Sequence, residues 1–454
     1  MHIEIEKLRR VLNLMEGLAK PKVEKTIVES KKGKGKGKGV RTKVEHTWPI
    51  LRNVLLKDGF ATATDLDMAV MVKITEAVGQ YLLPAKQVST LLKSVPGNEE
   101  VTIEMKGDLV CLTWPDGEAS YPTEKISSFP VIPEIQPTVK YTVNADLLVP
   151  NMAAMMDYCA DTMDRPVLTG VILFLGEQLE LAAGDGFRMA FKTIPANMPP
   201  SNGISTIIVP AKAVATLEHL WGKAPRPKPG NGDISLISLV ANKGNIEIEV
   251  SPILIKFQFG SVALLAKTVQ GTAPNFKQLI PKGEQVKLQV YAPDLERALR
   301  QLQVPTKKGL GAVRINWEMG KMKLALDTDE GNVGTSIPIN NVEDRGRIAV
   351  SFEYLQEYIA GKSGLVTIGV TSPTAPVQFT HSQSPMVAIM PMQAMWPEDI
   401  QKQATAEAVE EVKVIAEASA TNEASAESPD ADKEEGEGEP ETTGEEETEP
   451  ATTT

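Results

Sequence analysis

Trp48-Pro49-Ile50-Leu51-Arg52-Asn53-Val54-Leu55-Leu56, followed by Ala61-Thr62-Ala63-Thr64-Asp65-Leu66-Asp67, decides the fold because the chain writes it more than once. The second writing is Arg165-Pro166-Val167-Leu168-Thr169-Gly170-Val171-Ile172-Leu173, then Leu181-Ala182-Ala183-Gly184-Asp185-Gly186-Phe187-Arg188. A third and weaker one is Gly311-Ala312-Val313-Arg314-Ile315-Asn316, then Lys323-Leu324-Ala325-Leu326-Asp327-Thr328-Asp329. Below each lies a second shared unit. Leu83-Pro84-Ala85-Lys86-Gln87-Val88 heads a helical stretch, Val209-Pro210-Ala211-Lys212-Ala213-Val214 heads its twin, and Val350-Ser351-Phe352-Glu353-Tyr354-Leu355 takes the third slot. Proline at the first helical position, where its fixed φ costs nothing, accounts for the strand-to-helix switch in the first two.

After each helix the apolar residues alternate, as in Val101–Met105 with Leu109–Thr113 and Ile246–Val250 with Ile253–Phe259. Alternation implies antiparallel sheets with one buried face, which helices must cover. The expected class is α+β, each unit reading helix, strands, helix, strands. The units recur at intervals of about 110–145 residues, too long for solenoid repeats of ~20–50 residues.

Length agrees, since 454 residues suggest roughly three domains. The formal charge of −12 is misleading: from Glu398 onward there are 19 Asp/Glu and 3 Lys, leaving 44 basic and 40 acidic residues before it. A body of +4 joined to a tail of −16 does not argue against a nucleic-acid partner. Residues 398–454 have almost nothing to bury and are expected to be a disordered acidic tail, with a short helix possible around Ala404–Ala418. Lys31-Lys32-Gly33-Lys34-Gly35-Lys36-Gly37-Lys38-Gly39 has no apolar face and reads, within Lys20–Lys43, as a flexible cationic loop. Its alternating glycines match no phosphate-binding spacing.

Two cysteines, Cys111 and Cys159, cannot make a disulfide framework or a structural zinc site. The charged N-terminus and the short apolar run Val171–Leu175 offer neither a signal peptide nor a membrane span. A soluble cytoplasmic protein is expected. No catalytic constellation survives either. His2, His46, His219 and His381 are scattered, and Asp327-Thr328-Asp329-Glu330-Gly331 departs from a calcium loop at its glycine and at Pro338. Asp65 and Asp67 fit turn chemistry better than acid–base work, and Cys159 reads as a packed thiol. No cofactor and no metal are expected.

The repeat, with Pro49-Ile50-Leu51-x-Asn53-Val54-Leu55-Leu56, Asp185-Gly186-Phe187-Arg188, Pro274-Asn275-Phe276-Lys277-Gln278-Leu279-Ile280-Pro281 and Met390-Pro391-Met392, resembles the β sliding clamp of bacterial DNA polymerase III from residue 1 to about 395. The resemblance rests on the order and spacing of these motifs across three copies. It implies three tandem clamp domains (1–138, 139–284 and 285–397, the first with a Lys/Gly-rich insertion at about 21–46). Antiparallel sheets would lie outside and helices would line a pore, two protomers joining head to tail in a ring around double-stranded DNA. The implied function is that of a non-catalytic processivity factor. Its implied partners are the polymerase III catalytic subunit, the clamp loader and other clamp-binding peptides, with no membrane partner.

By the same resemblance a peptide pocket has Leu168, Gly184, Gly186, Phe187, Arg188 and Met189 on one wall. Pro274, Gln278 and Leu279 form a second wall, and Pro376, Ala388, Met390, Pro391 and Met392 a third. Methionine is unbranched and polarizable, so Met189, Met390 and Met392 suit a hub that takes several anchors. The family usually has His, Arg and Arg where Phe187, Gln278 and Gln393 stand here, so this pocket is less cationic. A ring that slides needs weak, interchangeable phosphate contacts and no base readout. Candidate DNA contacts are Arg9, Arg10, Lys86, Arg165, Lys212 and Arg297 in or beside predicted helices. The Lys/Gly insertion adds Lys31, Lys32, Lys34, Lys36, Lys38 and Arg41. Lys93 and Arg300 lie beside helices too. Ring closure would pair Gly117–Tyr121 with the stretch near Gln303–Thr306. The rival reading is a non-catalytic DNA-binding scaffold that has kept the fold.

Overall fold

A computed structural model describes residues 1–20, 22–29, 41–162, 164–195, 204–223, 244–280, 286–303, 311–328, 331–340, 345–396 and 399. The expected contacts Lys31, Lys32, Lys34, Lys36 and Lys38, the possible helix at 404–418 and nearly all of the acidic tail lie outside them. Met1–Gln393 form one compact unit.

The element order is repetitive. The chain opens with β1 (His2–Glu4), α1 (Ile5–Met15) and the hairpin β2 (Lys22–Glu29) and β3 (Arg41–Trp48). It continues through β4 (Asn53–Lys57), β5 (Phe60–Thr64), β6 (Met68–Lys73), β7 (Gln80–Pro84), α2 (Ala85–Leu92), β8 (Glu100–Lys106), β9 (Leu109–Trp114) and β10 (Gly117–Pro122). Next come β11 (Val139–Asn144), α3 (Ala145–Met156), β12 (Gly170–Leu175), β13 (Leu179–Gly184), β14 (Arg188–Ile194), β15 (Thr206–Pro210), α4 (Ala211–Lys223), β16 (Asn245–Val250), β17 (Leu254–Phe259), β18 (Val262–Lys267) and the single turn α5 (Phe276–Leu279). The last run is β19 (Val286–Tyr291), α6 (Ala292–Gln303), β20 (Ala312–Glu318), β21 (Lys321–Thr328), β22 (Gly331–Pro338), β23 (Gly346–Ser351), α7 (Phe352–Ile359), β24 (Leu365–Val370), β25 (Val377–Thr380) and β26 (Met386–Ile389).

All named pairings are antiparallel. Two sheets have eight strands, ordered β11-β16-β17-β18-β6-β5-β4-β7 and β15-β12-β13-β14-β26-β25-β24-β19. Each is two four-stranded halves joined edge to edge, at β18–β6 and at β14–β26. Two more sheets have only four strands, β1-β8-β9-β10 and β22-β21-β20-β23. Among the described residues these two sheets end at β1 and β10 and at β22 and β23. There β10 holds the place that β18 and β26 hold at the seams, β22 holds the place of β6 and β14, and both lack a partner on that side.

The helices form because one stripe of each can be buried. In α1 the residues Ile5, Leu8, Val11, Leu12 and Met15 are all buried, at the spacing of one helical face. Each stabilises the fold by about 1.5–3 kcal/mol relative to exposure. Asn144 caps α3, its side chain accepting from the Leu147 amide at 3.1 Å, which satisfies a donor the helix cannot. Pro84 and Pro210 differ from expectation. Each ends its strand, opposite Asn53 and Gly170, and the helices begin one residue later at Ala85 and Ala211. Proline has no amide to lose at a strand terminus, so it closes the ladder as readily as it opens a helix.

Two further expectations need correction. The segment Lys20–Lys43 is not wholly a loop, because β2 and β3 pair from Lys22 opposite Trp48 to Glu29 opposite Arg41. The flanks carry the β-branched residues Val23, Thr26, Ile27, Val28, Thr42, Val44 and Thr47, which favour strands. Of the stretch expected to close the ring, near Gln303–Thr306, only Gln303 is described and it ends α6. Residues 304–306 lie outside the described residues, and the strand left without a partner in this part of the chain is β22.

Candidate partner cleft and candidate DNA-facing cations

The β14–β26 seam carries a small apolar cluster separate from the main core. Leu168, Ile172, Ala182, Met189, Ile208, Phe276 and Ala388 are buried in it. Strand register puts Met189 opposite Ala388 and Arg188 opposite Ile389, and the Met390 amide donates to the Phe187 carbonyl at 2.8 Å. Val377 opposes Ile389, so the ladder carries Pro376 to the place facing Met390. Gly184 is required here: a Cβ would stand 2.8 Å from the ring of Phe276.

Around this buried floor the surface is apolar and exposed. Phe187 is 66% exposed and Met390 43%, side by side through their backbone bond, and Leu279 and Met392 are also exposed, at 48% and 43%. Gln278 is exposed beside Leu279 on α5, while Pro274 supplies the carbonyl that the Phe276 amide donates to at 3.0 Å. Pro391 and Met392 run along β23 instead, Pro391 bridging Val350 and the Met392 amide donating to Ala349 at 2.8 Å. The structure thus gathers Leu168, Gly184, Phe187, Met189, Pro376, Ala388 and Met390 and records no contact of Gln278 or Leu279 with them.

Arg188 does something else than line a pocket. Its side chain is 9% exposed, and its guanidinium hydrogen-bonds Asp185 at 3.1 Å, Glu357 at 2.5 Å and the Asp157 carbonyl at 2.8 Å. It lies 4.3 Å from the ring centre of Tyr354 and 5.2 Å from that of Tyr158. Burial works against its charge, but the bond to Glu357 and the attraction of Glu357 and Asp185 prevail, and its pKa lies above the ordinary value. Asp185 in turn accepts from the amides of Phe187 and Arg188, both at 2.9 Å. The turn bearing Gly186 and Phe187 is thereby fixed.

The β18–β6 seam is built alike and finished differently. Met68 opposes Ala266 there, and the Lys267 amide donates to Asp67 at 2.9 Å, as Met390 does to Phe187. Asp65 accepts from the amides of Asp67 and Met68, at 3.1 and 2.8 Å, as Asp185 does. In place of exposed Phe187 and Met390 stand Asp67 and Lys267, 3.4 Å apart as an ion pair. In place of Gly186 stands Leu66, which packs on Ile50, Leu51, Leu82 and Phe129. A cleft of about 300 Å³ remains alongside, bordered by Leu66, Val131, Ile132 and Lys267.

The candidate DNA contacts divide. Lys86 and Lys93 are exposed and have no ion-pair partner among the described residues. Arg10, Arg297 and Arg300 are exposed but paired within their own helices, to Glu6 at 3.1 Å, Asp294 at 2.8 Å and Glu296 at 2.7 Å. Lys212 pairs with Asp65 across the first seam. Arg9 is spent on structure, donating to the carbonyls of Leu92 and Val95 at 2.6 and 2.8 Å and to Glu6 at 2.6 Å. Arg165 precedes a single 3-10 turn, and its Nη1 is 3.0 Å from where a Cβ on Gly186 would stand. It borders the candidate cleft and is not on a helix. Arg41 lies in β3.

Sequence reading placed no role on Phe276, Tyr354 or Tyr158, and it gave Arg165 to DNA rather than to this seam. Only the fold brings them to this seam. Cys159 is a half-buried thiol whose pKa burial pushes up to about 12, so a nucleophile is not made here. No cluster of residues able to hold a metal occurs among the described residues, and no helix among them is long and apolar enough to cross a membrane.

Residues 151–226 match the family model for the DNA polymerase III beta subunit, central domain. A beta sliding clamp of Synechococcus elongatus is 26% identical over 353 residues, covering 75% of this chain and 88% of that protein. That of Escherichia coli is 22% identical over 360 residues, with 76% and 93% covered. Among solved structures, a Pseudomonas aeruginosa DNA polymerase sliding clamp superposes with a TM-score of 0.71 at 19% identity, covering 87% of this chain and 99% of that one. These comparisons indicate the bacterial beta sliding clamps. The fold is the sliding-clamp fold, and a clamp of Bartonella birtlesii with TM-score 0.70 was solved bound to griselimycin.

Proposed function

We propose that this chain is a non-catalytic processivity factor of a DNA polymerase, a clamp that encircles duplex DNA and tethers the polymerase to it. The observation that carries the proposal is the bookkeeping of sheet edges. Two seams are closed within the chain, and β10 and β22, which hold the places of the seam strands in their own sheets, lack a partner. Unpaired edges are templates for further strands, and a head-to-tail contact either closes a ring or runs on as a filament. Three modules per protomer, 1–138, 139–284 and 285–397, followed by the acidic tail 398–454, then give a six-module ring from two protomers. Its pairs of helices, such as α1 with α2, face the pore.

Such a ring holds DNA by topology more than by adhesion. Few helix cations are free of acidic neighbours, so the helices hold DNA weakly. The Lys/Gly segment, with Lys31, Lys32, Lys34, Lys36, Lys38 and Arg41, adds a sequence-independent contact to phosphates. The β14–β26 seam is the docking cleft for partner peptides of polymerase, loader and repair factors. Hydrophobic anchors lie on the Leu168–Met189–Phe276–Ala388 floor between Phe187 and Met390. With an apolar floor and Arg188 already paired, the cleft favours apolar over acidic anchors.

The test is topological. Loaded on a nicked circular duplex by its ATP-driven loader, the protein should stay through gel filtration and leave once the circle is cut. A scaffold that binds without encircling would be lost equally from circle and linear DNA, and that result would overturn the reading. A solution mass of one protomer would overturn it as well.

A further inference from the structure

We infer that two copies of this chain close in one register, with Ala119 of one protomer opposite the partner's Val333; the inference rests on the clamp reading above. The register comes from the two seams the chain closes within itself. At the first, Leu264 opposes Val70; at the second, Val387 opposes Ala190. Leu264 and Val387 have fixed places in their own sheets, opposite Phe257 and Phe379, which oppose Ile248 and Ile368. Ala119 has the same place in the open sheet, opposite Leu112, which opposes Ile103. On the receiving side Val70 and Ala190 oppose Ala63 and Ala183, as Val333 opposes Leu326. The turns agree too, since Thr64–Ala69, Gly184–Met189 and Asp327–Asn332 are the corresponding pairs, each enclosing four residues.

The ladder that follows puts Tyr121 opposite the partner's Gly331 and Glu118 opposite the partner's Gly334. The faces match over Gly117–Ser120. Gly117 and Ala119 are half-buried, like Thr335 and Val333, whereas Glu118, Ser120, Asn332 and Gly334 are exposed; only at the end of the ladder does half-buried Tyr121 face an exposed residue, Gly331. A slip of one residue would set a core-facing side chain against a solvent-facing one. No opposed pair brings two charges together, so closure depends on backbone hydrogen bonds and apolar contact, on which salt has little grip.

The experiment uses the full chain with Cys111→Ser and Cys159→Ala. Glu118→Cys with Gly334→Cys should form a covalent dimer under mild oxidant. A Cβ on Gly334 meets nothing closer than the Leu324 carbonyl at 3.7 Å, so that substitution fits. Glu118→Cys with Asn332→Cys, or with Ser336→Cys, should cross-link at least about tenfold more slowly, because diagonal neighbours on one face stand ~7–8 Å apart. Faster cross-linking at a shifted pair, or a dimer that cross-links at none, overturns the register and leaves the ring standing. A monomer that cross-links at none overturns the clamp reading with it. Dimer fraction of the unsubstituted chain should hold between about 0.1 and 1 M salt, where the Debye length falls from ~10 to ~3 Å; steep dissociation over that range overturns the uncharged seam.

Discussion

Leu66 and Gly186 occupy the same place in two copies of one turn, both with left-handed backbone, at φ 77° and 101°. Leu66 lays its side chain on the apolar cluster of its own seam. Gly186 has none to lay, and the floor beneath it stays available. The repeat itself demonstrates that the turn can carry leucine.

Gly186→Leu is therefore expected to fill the candidate cleft, with the strain of a side chain on left-handed backbone, about 1–2 kcal/mol, as its cost to the fold. Arg165 must yield, since a Cβ would stand 3.0 Å from its Nη1, but that is the far end of a flexible side chain. Affinity for a polymerase-derived clamp-binding peptide should fall about tenfold or more, which is ~1.4 kcal/mol. The melting temperature should change by a few degrees at most. Fluorescence anisotropy and thermal denaturation read the two effects, and unchanged peptide affinity would remove the cleft from this seam.

Arg188→Met should loosen the same wall from beneath. It leaves Asp185 and Glu357 without their cation and the ring of Tyr354 without its cover. Breaking a largely buried pair by removing one partner costs about 3–5 kcal/mol; Glu357, 59% exposed, can turn to water, so about 2–3 kcal/mol is expected. Denaturant unfolding measures it. A loss below about 0.5 kcal/mol, the range of ordinary surface substitutions, would contradict a structural role.

How much of this was legible in the sequence can be judged residue by residue. The repeated Pro-Ala-Lys at Lys86 and Lys212 and the paired Asp65 and Asp185 are local patterns, and they located helices and turns to within a residue. The short opening strands β1, β11 and β19 were not foreseen, because three to six residues ahead of a helix carry too little periodicity. Arg9 and Lys86 look alike in sequence. Only packing reveals that one is tied to Leu92 and Val95 and the other faces water. Likewise Phe276 becomes the floor of a cleft through residues far away in the chain, at Gly184 and Leu168. A seam between distant strands leaves no mark on either strand alone.

Acid should weaken the fold in a way Glu249 reports. Its carboxylate accepts from Lys140 at 3.0 Å and Lys256 at 3.1 Å, tying β11, β16 and β17 together. Burial opposes its charge, yet the two lysines prevail and its pKa lies below the ordinary 4.5. A depressed folded-state value contributes stability that is present above the unfolded value and disappears as pH falls through the folded one. Stability should thus drop below about pH 4.5. Glu249→Gln should flatten that drop by about 1 kcal/mol, the upper range for such pairs. Identical acid profiles for the two proteins would exclude it.

Deleting residues 31–39 removes five lysines and tests whether the insertion grips phosphate. Each neutralised phosphate adds about 0.9 to the slope of log affinity against log salt. If two to four of the five are engaged at once, the slope should shrink by roughly 2–4, with no change in dimer mass or peptide affinity. Removing residues 398–454 from the intact chain should act oppositely. The tail's 19 carboxylates compete with DNA for the same lysines, so its loss should tighten DNA binding most at low salt, where the Debye length is long. The two deletions also constrain each other. If the tail acts through the insertion, removing it from a chain already lacking 31–39 should change little, because the lysines it masks are gone. Additive effects on the salt slope would mean that tail and insertion meet the DNA independently, and an unchanged slope in the first deletion would leave the cationic segment without a role in binding.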